Sequence, residues 1–248
     1  MKRHDSLDLG QKVWEYLHTE LGDGSGGAST EPSKRTTSYL QAYLAGFSED
    51  DDDPFPGVWP AVGRHFDELG RDEEKPNVFT ATDLLAVSFL SVNVPPRAAW
   101  SIIEARSAAL TKVLAAIPVG MAIEDQECTS STYTSTSALQ ELWNLLRRDE
   151  AGRLWKMGPT TVSKVMARKR PGLVPIQDSV VMRELGAEDA TYWDMWWQAM
   201  HLAIDDRLVV VEFTESLREK VPEASQLSLL RVLDIVIWMH GSYGRAMR

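Results

Sequence analysis

The residues with the clearest chemical potential lie in the run Leu154-Trp155-Lys156-Met157-Gly158-Pro159-Thr160-Thr161-Val162-Ser163-Lys164-Val165. The pattern predicts a short helix ending near Trp155, a turn supplied by Gly158, and a second helix from Pro159 to Arg170, because proline fits a first helical turn. Such a helical hairpin leaves backbone N–H groups unpaired at the start of its second helix. Together with the helix dipole these form a seat for a phosphate. Lys156 and Lys164 place positive charge nearby. A plain connector between two helices is the other reading of a Gly-Pro turn.

Beyond the hairpin, Arg170-Pro171-Gly172-Leu173-Val174-Pro175-Ile176-Gln177 forms an extended apolar approach to Asp178. The following Ser-Val-Val-Met-Arg-Glu suits a helix start, so Asp178 fits an N-cap. The charge distribution points to one anionic contact. The chain carries a net charge of −10, which argues against coating nucleic acid, since phosphate binding is driven by Lys and Arg displacing counterions. Yet between Arg147 and Arg170 there are eight basic residues against two acidic ones. A basic patch on an acidic body suits a single defined anion site. The competing reading is that Arg168, Lys169 and Arg170 complement the negative end of their own helix.

With these residues in view, the sequence resembles the helix-hairpin-helix DNA glycosylase superfamily, including endonuclease III and the adenine and 8-oxoguanine glycosylases. The superfamily pattern is Leu-Pro-Gly-Val-Gly-x-x-Thr-Ala, a helix, then Pro-x-Asp-Thr-x-Val. Leu154, Met157, Gly158 and Thr161 fall on it, and Asp178 follows Gly158 by 20 residues. Upstream, Asp83-Leu84-Leu85-Ala86-Val87-Ser88-Phe89-Leu90-Ser91-Val92-Asn93-Val94 looks like the superfamily's opening helix, which ends in Leu-Ser-x-Gln-Thr. Asn93 falls on the glutamine that enters the DNA stack. The resemblance covers roughly residues 79 to 205. Phe79 to Val94, Ala167 to Pro171 and Leu229 to Met239 also look like a bacterial family of unknown function, which lends no activity.

The resemblance implies DNA as partner, contacted by Asn93, Lys156, Gly158, Thr160, Thr161, Lys164 and Arg168, with Asp178 as catalytic carboxylate. Breaking an N-glycosidic bond builds positive charge on the sugar, which a fixed carboxylate stabilises, or it orients the attacking water. The base must first leave the stack, at a cost of a few kcal/mol. The departures narrow this picture. Lys156 stands where the first hairpin glycine belongs, and positive φ costs a non-glycine residue about 1 kcal/mol. Thr160 replaces the Schiff-base lysine of bifunctional members, so any glycosylase here is a monofunctional hydrolase. Asn93 is shorter than the glutamine it replaces, and Pro-Ile-Gln-Asp holds one residue more than Pro-x-Asp. Two other functions suit the same residues: a non-catalytic nucleic-acid or protein interaction module on the same fold, and an enzyme acting on a small nucleoside.

The elements that must position these residues read as all-α, since apolar residues recur at helical spacing and no alternating strand stands out. Helices are expected over Ser6 to Leu21, through Tyr39, Leu40, Tyr43 and Leu44, and over Asp83 to Val92 behind a Thr80 to Asp83 capping box. Further helices are expected over Arg97 to Ile117 after Pro95-Pro96, from Ser137 through Leu146, and over Asp178 to Leu185. The last three should cover Ala190 to Ile204, Arg207 to Lys220 and Leu227 to Met239. The acidic run Glu49 to Asp53, with Pro54, Pro56 and Pro60, reads as a loop. The division is 1–78, N-terminal helices and acidic loop packing on the core, and 79–248, the glycosylase-like domain. Tyr192, Trp193, Trp196, Trp197 and Met200 share a helical face that fits a core or a partner surface, although aromatics also stack on flipped bases. One cysteine, Cys128, and five scattered histidines supply no ligand spacing for a metal, and no cofactor is expected. With no long apolar run and no signal-peptide core, the expected location is the cytoplasm, with no membrane partner. No feature sets an oligomeric state.

Overall fold

The computed structural model describes residues 9–27, 29–45, 62–70, 75–149 and 151–244. The acidic run over 49–54 and the prolines at 56 and 60 lie outside the described residues, as does the expected helix start at Ser6. The described helices are α1 (Leu9–Tyr16), α2 (Lys34–Ala45), α3 (His65–Glu68), α4 (Ala81–Ser88), α5 (Pro96–Trp100), α6 (Ser107–Ala115), α7 (Ala138–Arg147), α8 (Pro159–Lys169), α9 (Ser179–Leu185), α10 (Tyr192–Met200), α11 (Val209–Lys220) and α12 (Leu229–Tyr243). Two short strands, β1 (Ala203–Ile204) and β2 (Arg207–Leu208), pair antiparallel. The protein is thus mostly helical, and no helix among the described residues is long and apolar enough to cross a membrane. The chain forms two compact units, one from Met1–Ala61 with Asp178–Arg248 and the other from Val62–Gln177. The sequence suggests a single division near residue 78, whereas here the N-terminal helices share a unit with the C-terminal ones.

In the first unit the centre is α12, whose run from Leu229 to Ile237 is buried throughout. A helix that is apolar all round must be covered on all sides, and α2, α9 and α11 pack on it. Ser228 starts it by accepting the Arg231 N–H at 3.2 Å. The two charges inside it are paired, since Arg231 donates to Asp234 and to the Tyr43 hydroxyl. Helix α1 lies close on α10: a Cβ at Gly10 would come within 2.7 Å of the Gln198 carbonyl carbon. Tyr192, Trp196 and Met200 are buried, with the first two in edge contact, so this part of the aromatic stripe is core. The strands are a departure from the all-helical reading. Asp205 and Asp206 adopt positive φ and close the two-residue hairpin turn, which ends α10 at Met200. Two-residue strands are too short to show alternation in sequence.

In the second unit α8 is central. Val162 to Ala167 are buried, and α4 and α7 pack against it. Its basic C-terminal end fastens three other elements. Arg168 donates to the Phe66 and Leu69 carbonyls at the end of α3. Lys169 pairs with Asp83 at 2.5 Å. Asp83 also completes the capping box of α4, accepting the Thr80 N–H at 2.8 Å. Arg170, 1 % exposed, donates to the carbonyls of Pro76, Leu114, Ile117 and Lys169 and to the Asn77 amide oxygen. A cation here serves the Ile117 carbonyl just beyond α6, adds a donor to the Leu114 carbonyl in its last turn, and complements the negative end of that helix. Burial lowers the Arg170 pKa from its usual value.

The single helix expected over Arg97 to Ile117 is broken. A wide turn over Ser101–Ala105 follows α5, and Arg106 leaves helical geometry before α6. Arg106 then reaches across to donate to the Leu145 and Arg148 carbonyls, closing the end of α7.

Replacing Arg170 by Ala leaves several buried carbonyls without donors, and each such group costs roughly 1–3 kcal/mol. We expect a loss on the order of 3 kcal/mol in urea denaturation, with Arg170→Lys recovering only part because a single ammonium cannot span the same acceptors.

Candidate nucleic-acid interface

The hairpin is wider than its sequence suggests. Helix α7 ends at Arg147, close to the expected Leu146, no helix ends near Trp155, and the described residues among 148–158 form the connection to α8. Its first half is organised by Asp149, whose carboxylate accepts from the Ala151 and Arg153 N–H groups at 3.0 and 2.8 Å and from the Arg153 side chain. An isolated bridge pairs Arg148 with Leu154. The tight turn is made by Lys156, which adopts φ +67°, and not by Gly158, which is extended at φ −74° and ψ 174°. Thus the lysine occupying the hairpin-glycine position takes up the conformation that favours glycine. Gly158 is the N-cap of α8 and offers no side chain to its amides, and Pro159 holds the first helical position as expected. The Thr160 and Thr161 amides therefore have no partner within the helix. Nothing lies within 4 Å of where a Gly158 Cβ would be, so the space beside the cap residue is empty, while Thr160 and Thr161 are half-buried.

Asn93 lies exposed in the loop between α4 and α5. This loop is tied to the hairpin element at both ends. Lys164 donates to the Leu90 carbonyl at 2.9 Å, and the Arg97 guanidinium stacks over the Trp155 ring at 5.8 Å. The loop that carries Asn93 is thereby held against the element that carries Lys156, Gly158, Thr160 and Thr161. Ser91 and Lys156, two of the four described non-glycine residues with positive φ, lie in these two segments. Such strained positions concentrate where the surrounding structure imposes them, often at functional sites.

Lys164 and Arg168 are a correction to the sequence reading. Both belong to the run expected to present charge to an anion, but Lys164 is 4 % exposed and Arg168 points into the unit toward α3 and Asp83. Their acceptors lie far away in the chain, so local sequence carries no sign of them. Conversely, sequence reasoning did not single out Arg97, Trp100 or Trp155. The signal available was Arg97 and Trp100 at three-residue spacing after Pro95-Pro96, which places them on one helical face.

Asp178 opens the first unit as the N-cap of α9, accepting the Val180 N–H at 2.9 Å. The segment leading to it is fixed within the second unit. The Gln177 N–H donates to the buried Ser163 hydroxyl at 3.0 Å, and the Tyr133 hydroxyl donates to the Leu173 carbonyl at 2.9 Å. Burial raises the Tyr133 pKa, which keeps that donor protonated. Two of the histidines are engaged in packing. The His201 ring stacks on Trp197 and its Nδ1 meets the Trp197 carbonyl, and His240 sits edge-on to Tyr16 and Tyr39. Among the described residues no group of three or more His, Cys, Asp or Glu is arranged to hold a metal ion.

Two outcomes follow from the hairpin geometry. Lys156→Gly should stabilise the protein by up to about 1 kcal/mol by removing the left-handed strain, and Lys156→Ile should destabilise it, both read from urea midpoints. The backbone hydrogen bond from Arg153 holds the Asp149 carboxyl below its usual pKa. Its contribution to loop order is therefore complete above about pH 4, the ordinary aspartate range, and is lost as acidification protonates it. Amide exchange at Ala151 and Arg153 should accelerate below that pH in excess of the global trend, and in Asp149→Asn that acid-specific acceleration should disappear.

Comparison with known proteins places this geometry in a family without assigning it an activity. No curated protein and no solved structure matches the chain. Residues 37–241, spanning most of both units, match the Family of unknown function (DUF6308), and the chain belongs to that family.

Proposed function

We propose that this protein binds duplex DNA through the 148–161 hairpin and the Asn93 loop, on a helix-hairpin-helix glycosylase-like fold. In this reading Asp178 supplies the carboxylate for monofunctional base excision. The observation that carries it is the N-terminus of α8, where no cap side chain serves the Thr160 and Thr161 amides and the space at Gly158 is empty, two residues after Lys156. Two parallel N–H donors at the positive end of a helix dipole suit a phosphate oxygen. Lys156 is exposed and adds a charge-assisted contact, and Arg97, also exposed, adds a second. Asn93, on the loop tied to this element, meets the bases. No lysine adduct is involved, because Thr160 stands in that position.

A second reading has its own support. Asp178 already spends one oxygen on its helix cap, and Lys164, Arg168, Lys169 and Arg170 serve the interior. These facts favour a non-catalytic DNA-binding module on the same fold.

Of the four exposed cations at the contact, Arg148 is engaged by the Gly152 carbonyl and Arg153 by Asp149. With Lys156 and Arg97 meeting phosphate, the logarithmic salt slope should be about −2, so duplex affinity falls roughly tenfold between 50 and 200 mM salt. Lys156→Ala should reduce the slope by about one. Base release from duplexes carrying varied lesions separates the two readings. Asp178→Asn keeps a competent N-cap while removing the charge, so it should abolish release and leave binding intact. Binding without release by the wild type supports the module, and negligible binding at low salt overturns both.

A further inference from the structure

Trp100 ends α5 with 66 % of its surface exposed, although burying an indole is among the larger single gains a core can make. It lies three residues after Arg97, so the two side chains are neighbours on one helical face. Arg97 is already stacked over Trp155 at 5.8 Å, and Trp155 precedes Lys156 in the hairpin. The second unit therefore presents an arginine–tryptophan stack and, on the same helical face as its arginine, a second, uncovered indole, while the exposed Lys156 follows the stacked Trp155 in the chain. An exposed indole with a guanidinium as its neighbour on the helix matches a nucleotide, which takes an aromatic face for its base and a cation for its phosphate.

We infer that Trp100 is a stacking platform for an unpaired base, so that the protein selects nucleic acid in which a base has left the helix. The inference rests on the reading of the hairpin as a phosphate site. The hairpin and Lys156 hold the backbone, and the indole of Trp100 takes the face of the displaced base. Because stacking is indifferent to base identity, selectivity is for the unpaired state and not for sequence. The Arg97–Trp155 stack fixes the rim of the platform before the nucleic acid arrives.

The experiment compares labelled duplexes that are either fully paired or carry one bulged nucleotide, by fluorescence anisotropy at low salt. Wild type should prefer the bulged duplex. Trp100→Ala should lose about tenfold on the bulged duplex with little change on the paired one, and Trp100→Phe should retain most of the preference. Lys156→Glu should weaken both duplexes alike. If Trp100→Ala changes neither duplex while Lys156→Glu weakens both, the stacking inference is overturned and the hairpin reading stands. If wild type binds neither duplex, both fail. If Trp100→Ala instead abolishes self-association in sedimentation with no effect on the bulge preference, the indole belongs to a protein contact and the inference is wrong.

Discussion

The second unit depends on the burial of cations at the end of α8. Arg168, Lys169 and Arg170 are consecutive, and each closes a different element: the carbonyls that end α3, the capping aspartate of α4, and the carbonyls at and just beyond the end of α6. The arrangement is electrostatically consistent throughout. Negative charge sits at the start of α4, positive charge at the end of α8, and the buried guanidinium of Arg170 supplies donors to the carbonyls of Pro76 and Ile117. One helix terminus thus fixes the frame from which the hairpin projects at the opposite end.

That frame accounts for how an acidic chain could still present an anion site. Of the eight basic residues from Arg147 to Arg170, three, Arg148, Arg153 and Lys156, are exposed, and the four from Lys164 to Arg170 are used by the fold. Lys156 remains outside, held at positive φ beside amides that its own helix cannot satisfy. Across the same surface, Lys164 uses its charge to fasten the Asn93 loop and not to meet a ligand. A weak, local, geometry-dependent contact is the natural product of this division, in contrast to a broad basic face.

Local chemistry was legible in the sequence. The Thr80–Asp83 capping box, the Ser137 cap of α7, Pro159 at the first position of α8 and Asp178 at the start of α9 are all short-range and all present. Long-range partners were not legible. Nothing near Arg168 or Arg170 in the chain indicates that their acceptors lie about a hundred and about fifty to ninety residues away. The wide hairpin escaped for a related reason: the resemblance supplied a tight turn, whereas Asp149 and the Arg148–Leu154 bridge build a longer one. The break at Arg106 depends on carbonyls at the end of α7, which no local propensity encodes.

The central claim is that the N-terminus of α8 and the Asn93 loop form the nucleic-acid surface while the basic end of α8 is structural. Amide chemical-shift mapping during titration with a short duplex at low salt tests it most directly. The account predicts progressive shifts at Lys156, Gly158, Thr160, Thr161 and Asn93, with Arg168, Lys169 and Arg170 unmoved. Shifts centred on the basic end of α8, or none in the hairpin, would contradict it.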